Sequence, residues 1–150
     1  MSEETCSDSE AVRPVDLLMQ ACSYWGAMKL VADHAGPGNR PALLLLGGSA
    51  LEMAFKAVLA ASGWPAGALS GLGRNLEAGY ASALDCGLTP HRDRDVAEVV
   101  VMISAAWDDA DARSSMAKAD AIDLIESVPV IGSLIVDVGE QFSSIGEGMN

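Results

Sequence analysis

Apolar residues in this chain recur at helical rather than strand spacing. Between about residues 14 and 33, Leu17, Leu18, Ala21, Tyr24, Trp25, Met28 and Val31 form one broad stripe, with Asp16, Gln20 and Ser23 on another face. Pro14 suits the first turn of that helix, where a missing N–H costs nothing. A second helix is expected over Ala42 to Ser62, with Pro41 in position to open it and Gly63 to close it. It reads apolar nearly all round, from Leu43-Leu44-Leu45-Leu46 through Leu51, Phe55, Val58 and Leu59. Such a helix must be surrounded, so it belongs at the centre of a bundle or at a subunit interface. Its charges, Glu52 and Lys56, stand i,i+4 with the acid first, the favourable order.

A short third helix is predicted from Arg74 to Cys86, and a fourth from Asp93 to Trp107, where Val96, Val99, Val100, Ile103 and Trp107 recur at helical spacing. Val99-Val100-Val101 also suits a short strand, but too few alternating runs exist elsewhere to build a sheet around it. The last segment, Asp120 to Phe142, contains Pro129, which is expected to kink it or split it into two helices. Gly36-Pro37-Gly38-Asn39, Gly63-Trp64-Pro65 through Gly73, and Gly87-Leu88-Thr89-Pro90 read as loops, with a softer break over Asp108 to Asp120. The pattern therefore predicts an all-α fold, an antiparallel up-and-down bundle of four to six helices. It occupies residues 14–146 as one domain, between a disordered acidic tail at 1–13 and a frayed end at 147–150. A chain of 150 residues fits that size. Half its residues are apolar and 20% are charged, enough to bury a core and too little charge for disorder throughout.

Charge narrows the function. The chain carries 21 acids against 9 bases, a net charge of −12. Nucleic-acid binders draw affinity from Lys and Arg that displace phosphate counterions, so a nucleic-acid partner is disfavoured. The acidity is uneven: residues 1–12 contribute −4, residues 108–150 contribute −7, and the stretch 13–107 contributes −1. A protein partner with a basic face would suit the acidic final third. Cys6, Cys22 and Cys86 are odd in number and far apart, which supports neither a disulfide framework nor a zinc site and fits thiols in a reducing compartment. Met1 to Glu10 holds four acids and no base, unlike a secretory signal. The uncharged stretch from Pro41 to Leu51 is shorter than the roughly 20 apolar residues of a membrane span, and that from Ala57 to Gly73 is interrupted by glycines and Pro65. No membrane association and a cytoplasmic location are expected. Abundant Ala and scarce Lys point to a GC-rich bacterial genome.

Short motifs carry little chemistry. Gly47-Gly48-Ser49 begins like a nucleophile elbow, but the position that needs a final Gly holds Leu51 and no strand precedes it. Gly71-x-Gly73 lacks its third glycine, Leu76 standing there. The run from Asp109 and Asp111 to Asp120 imitates a calcium loop, yet Arg113 and Ser114 occupy the positions that need an oxygen ligand and a glycine. His34 and His91 each lie beside a loop, and a metal site on either would have to recruit carboxylates from distant segments; none is expected. The run His91-Arg92-Asp93-Arg94-Asp95 reads as a helix start, its acids facing the positive end of the dipole.

One stretch is distinctive. Ala50-Leu51-Glu52-Met53-Ala54-Phe55-Lys56-Ala57-Val58-Leu59, then Gly63, Arg74-Asn75-Leu76-Glu77 and Asp85-Cys86-Gly87-Leu88, resembles the core of the HEPN superfamily of helical bundles. That family shows an A-x-E-L-x-L-K-A-x-L helix, a loop glycine, an H-[DN]-L step opening the third helix, and G-L closing it. The resemblance covers residues 14–126 and is detailed over 50–88. It implies an α-helical bundle and, in many members, a ribonuclease whose Arg and His stand four to six residues apart in a cleft between two subunits. This chain departs there: no such Arg–His pair exists, and Arg74 replaces the histidine of H-[DN]-L. No general base is evident for taking a 2′-hydroxyl proton. The resemblance maps Glu52, Lys56, Arg74, Asn75 and, in the loop before the last helices, Arg113 onto characteristic positions. They line a cleft, or else Glu52 and Lys56 are a satisfied pair and Arg74-Asn75 a helix cap. The expected function is a non-catalytic HEPN-like interaction module, acting through protein–protein contacts as a homodimer, without cofactor or metal. The alternatives are a diverged HEPN ribonuclease or toxin–antitoxin component acting on RNA, and an unrelated acidic helical protein-binding domain.

Overall fold

The computed structural model describes residues 12–34, 39–108 and 121–149, and six helices lie within them. In chain order they are α1 (Pro14–His34), α2 (Arg40–Ala61), α3 (Ala66–Leu72), α4 (Leu76–Asp85), α5 (Asp93–Asp108) and α6 (Ala121–Met149). No strand occurs among the described residues, and Val99 to Val101 lie inside α5. The protein is an all-α bundle, as its apolar spacing predicts. Arg113 and the calcium-loop-like run 109–120 lie outside the described residues, as does the acidic segment 1–11.

Helix ends follow local chemistry. α1 starts at Pro14, and Pro41 sits in the first turn of α2. The predicted third helix begins two residues later than expected, at Leu76, because Asn75 caps it: the Asn75 side-chain oxygen accepts from the Ala78 N–H at 3.0 Å. α3 lies in a stretch expected to be loop. The Pro65 carbonyl accepts from the N–H groups of Ala68 and Leu69, and Leu69 is buried. One anchoring side chain and one proline thus suffice for seven residues that contain Gly67 and Gly71.

Of the two outcomes expected at Pro129, a kink or a split, the split does not occur: α6 continues through Pro129 as one helix of 29 residues. Pro129 faces solvent, as does Ile125, whose carbonyl would have received the missing N–H. Water can satisfy that carbonyl, while Leu124, Val128, Ile131, Leu134 and Val138 keep the opposite face buried on both sides of the proline.

α2 is the centre of the bundle. It contacts α1, α3, α4, α5 and α6, and Leu43, Leu51, Ala54, Phe55, Val58 and Leu59 are buried within one chain. Full burial of a Leu or Phe side chain is worth about 1.5–3 kcal/mol. Among the described residues α2 alone is long and apolar enough to span a membrane, and over half of that stretch is packed against its neighbours. Gly47-Gly48-Ser49 lies inside this helix, so no nucleophile elbow forms. Its glycines serve packing instead: Met28 of α1 rests against Gly47, and the Trp107 indole of α5 occupies the space that a Cβ on Gly48 would need. α2 and α5 run antiparallel. Gly48 meets Trp107 at one end, and at the other Tyr80, its ring tilted against that of Phe55 with centres 5.2 Å apart, donates to the Asp93 carboxylate. α1 and α6 are antiparallel too, Leu18 lying by Gly139 and Trp25 by Gly132, with the Trp25 indole N–H donating to the Val128 carbonyl at 2.8 Å.

Candidate functional site

Two groups of polar side chains are assembled by this packing. The first is built on α2, where Glu52 and Lys56 stand one turn apart, 13% and 12% exposed. Lys56 Nζ donates to Glu52 Oε2 at 2.8 Å. The other carboxylate oxygen, Oε1, lies 4.0 Å from Arg74 Nε, and the exposed Arg74 guanidinium lies 4.1 Å from the centre of the Trp107 ring. One carboxylate therefore faces two cations, and the second cation is held between that carboxylate and an aromatic face. Two charges this deeply buried are tolerated because they are paired at hydrogen-bond distance.

Of the residues expected to line a cleft, the fold brings Glu52, Lys56 and Arg74 together. Asn75 is adjacent in sequence but spends its side-chain oxygen on the α4 cap, and Arg113 lies outside the described residues. Trp107 is an unforeseen member, because its partner Arg74 is 33 positions away in the chain. Chemically the group binds and positions charge. Glu52 is compensated by Lys56, and only the Arg74 guanidinium is turned outward.

The second group went unforeseen in the sequence. The turn after α4 passes through Gly87 at φ +104°, a left-handed conformation that favours glycine, and buries Leu88. It delivers His91 to α6. There the His91 backbone N–H donates to Asp137 Oδ2 at 2.9 Å, and His91 Nδ1 lies 2.5 Å from Asp137 Oδ1. The Asp137 side chain is 4% exposed and the imidazole 73%. Glu140, one turn beyond Asp137, lies close enough that one donor atom from each of His91, Asp137 and Glu140 falls within 4.8 Å of the others. With Thr89 and Gln141 these residues line a cleft of about 340 Å³, and Gln141 Oε1 is buried without a hydrogen-bond partner. The hydrogen bond to Asp137 raises the His91 pKa above the usual 6.5, helped by the charges of Asp137 and Glu140 and only partly opposed by desolvation. Asp93 and Asp95 occupy the first turn of α5, and Arg92 pairs with Asp95 at 2.9 Å, so the run after His91 is the expected helix start.

One signal for this second group was present: Asp137 is a lone acid between Val136 and Val138 in an apolar stretch. Its partner, 46 residues earlier, was not marked by any local pattern. Tested against family models, curated proteins and solved structures, the chain has no match in any of the three.

Proposed function

We propose that this protein is a HEPN-like, non-catalytic helical interaction module that works as a cytoplasmic homodimer and docks proteins rather than nucleic acid. The observation that carries the dimer is the outer face of α1. The largely apolar α2, the first candidate for an interface, is enclosed within its own chain, whereas α1 leaves Val15, Met19 and Leu30 exposed at 44%, 62% and 63%. Cys22 and Ser23 lie exposed between them, Gly26 has open space above it, and no charge occurs from Leu17 to Met28.

This face is self-complementary. In an antiparallel copy centred between Cys22 and Ser23, Val15 comes level with Leu30, Met19 with Gly26, and the acid Asp16 with the base Lys29. A side chain thus meets open space at Gly26, and opposite charges rather than like ones bracket the strip. Two chains of net charge −12 repel elsewhere, which makes an uncharged strip the place of approach. The absence of an Arg–His pair supports the non-catalytic reading. The antiparallel pairing of α2 with α5 agrees with a HEPN-like bundle.

The test follows from the twofold axis beside Cys22. In a Cys6→Ser, Cys86→Ser background, mild oxidation should trap a disulfide dimer through Cys22, and light scattering of the untreated protein should give twice the 15.5 kDa chain mass. Met19→Glu, at a solvent-exposed position, should leave the fold intact and give monomer. A monomeric parent protein, or a dimer indifferent to Met19→Glu and to oxidation at Cys22, overturns the interface. Purified protein should also leave RNA intact; cleavage abolished by Arg74→Ala would instead establish the ribonuclease alternative.

A further inference from the structure

We propose that His91, Asp137 and Glu140 form a binding site for a borderline divalent transition-metal ion, with Zn²⁺ the best match. The donors are one imidazole nitrogen and two carboxylates, gathered within 4.8 Å at the rim of an open cleft. Imidazole with carboxylate selects Zn²⁺ and its neighbours over Mg²⁺ and Ca²⁺, which prefer all-oxygen sets, and the absence of thiolate from the set disfavours Cu⁺.

The architecture fits a site as well as the donors do. Asp137 and Glu140 are one turn apart on α6, a rigid helix, so both carboxylates rise from the same face. Asp137 is fixed by the His91 backbone N–H, which occupies Oδ2 and leaves Oδ1 turned to the imidazole. Gln141 adds a buried carbonyl oxygen with no hydrogen-bond partner at the wall of the same cleft. That oxygen is an acceptor left unspent beside the cleft.

His91 Nδ1 and Asp137 Oδ1 are 2.5 Å apart, whereas two donors on a tetrahedral Zn²⁺ stand about 3.3 Å apart at its usual bond lengths. The ion would stand between them, and the ring, largely in solvent, is free to swing outward by that difference. A protonated imidazole cannot ligate, so binding weakens as pH falls. Three protein donors leave at least one coordination position to water, at the open side of the cleft.

Isothermal titration of Zn²⁺ into the full chain, at physiological salt, tests the site. One ion per chain is expected, with affinity that falls at least about tenfold in His91→Ala and in Glu140→Gln, and with little competition from excess Mg²⁺. Asp137→Asn is informative only if circular dichroism shows the fold retained, since Asp137 also anchors the loop; His91 and Glu140 are exposed and their variants carry the test. A Cys6→Ser, Cys22→Ser, Cys86→Ser variant should keep full affinity. The proposal is overturned if no stoichiometric binding occurs, if removal of the cysteines abolishes it, or if Glu98→Gln, an exposed α5 carboxylate outside the cluster, weakens it as much as His91→Ala does.

Discussion

A histidine whose ring stands in solvent, while its backbone N–H and its Nδ1 both reach one buried carboxylate, is tied to that carboxylate at two points. His91 and Asp137 are such a pair, and the tie is strongest when the ring is charged. Its folded pKa lies above 6.5, so the unfolded chain loses the ring proton at lower pH than the folded chain does. The stabilisation is thus complete below about pH 6.5 and declines as pH rises through the folded pKa. For metal-free protein in chelator, urea unfolding should show a higher midpoint at pH 6 than at pH 8, and His91→Ala should remove the part of that difference due to this pair. Equal pH dependence in parent and variant would show that the tie contributes nothing. Because the ring is exposed, the contribution is screened by salt and small. Glu52 presents the contrasting case: its partner Lys56 lies one turn along the same helix, so the i,i+4 spacing displayed the pair before any tertiary contact was known.

Helix ends and helix faces differ in how far the chain announces them. The starts of α1 and α2 were legible because proline and its neighbours act within one turn. α3 and the continuity of α6 were not, because each depends on which side of the helix faces water: Leu69 is turned inward and Pro129 outward. The contact between α2 and α5 is the most exacting of these faces. An alanine Cβ at Gly48 would fall within the Trp107 indole, which also supports Arg74, so one substitution presses on both the helix pairing and the polar group. Gly48→Ala should lower stability by about 1–3 kcal/mol, the usual cost of overfilling a core. Gly67→Ala, with open space around it, should leave stability unchanged or slightly higher. Urea denaturation followed by circular dichroism compares the two, and an unaffected Gly48→Ala would mean that Trp107 does not pack as described.

At the scale of the whole molecule, charge and association are linked. Two chains of −12 repel, and the proposed interface strip carries no charge of its own to offset this. Dimer affinity should therefore rise with ionic strength as repulsion is screened. Sedimentation at low and high salt measures this; affinity that falls with added salt would mean that ion pairs, not the apolar strip, hold the dimer. What the chain determines by itself is local: an all-α fold, most helix boundaries, the identity of α2 as the core helix, and the Glu52–Lys56 pair. Each follows from periodicity or from residues within a turn of one another. Tertiary structure alone decided that α2 is enclosed by its own chain while α1 presents the bare face, that Arg74 lies over Trp107, and that His91 reaches Asp137. Those outcomes depend on how helices rotate to bury their apolar stripes, and the residues they join are separated by tens of positions along the chain.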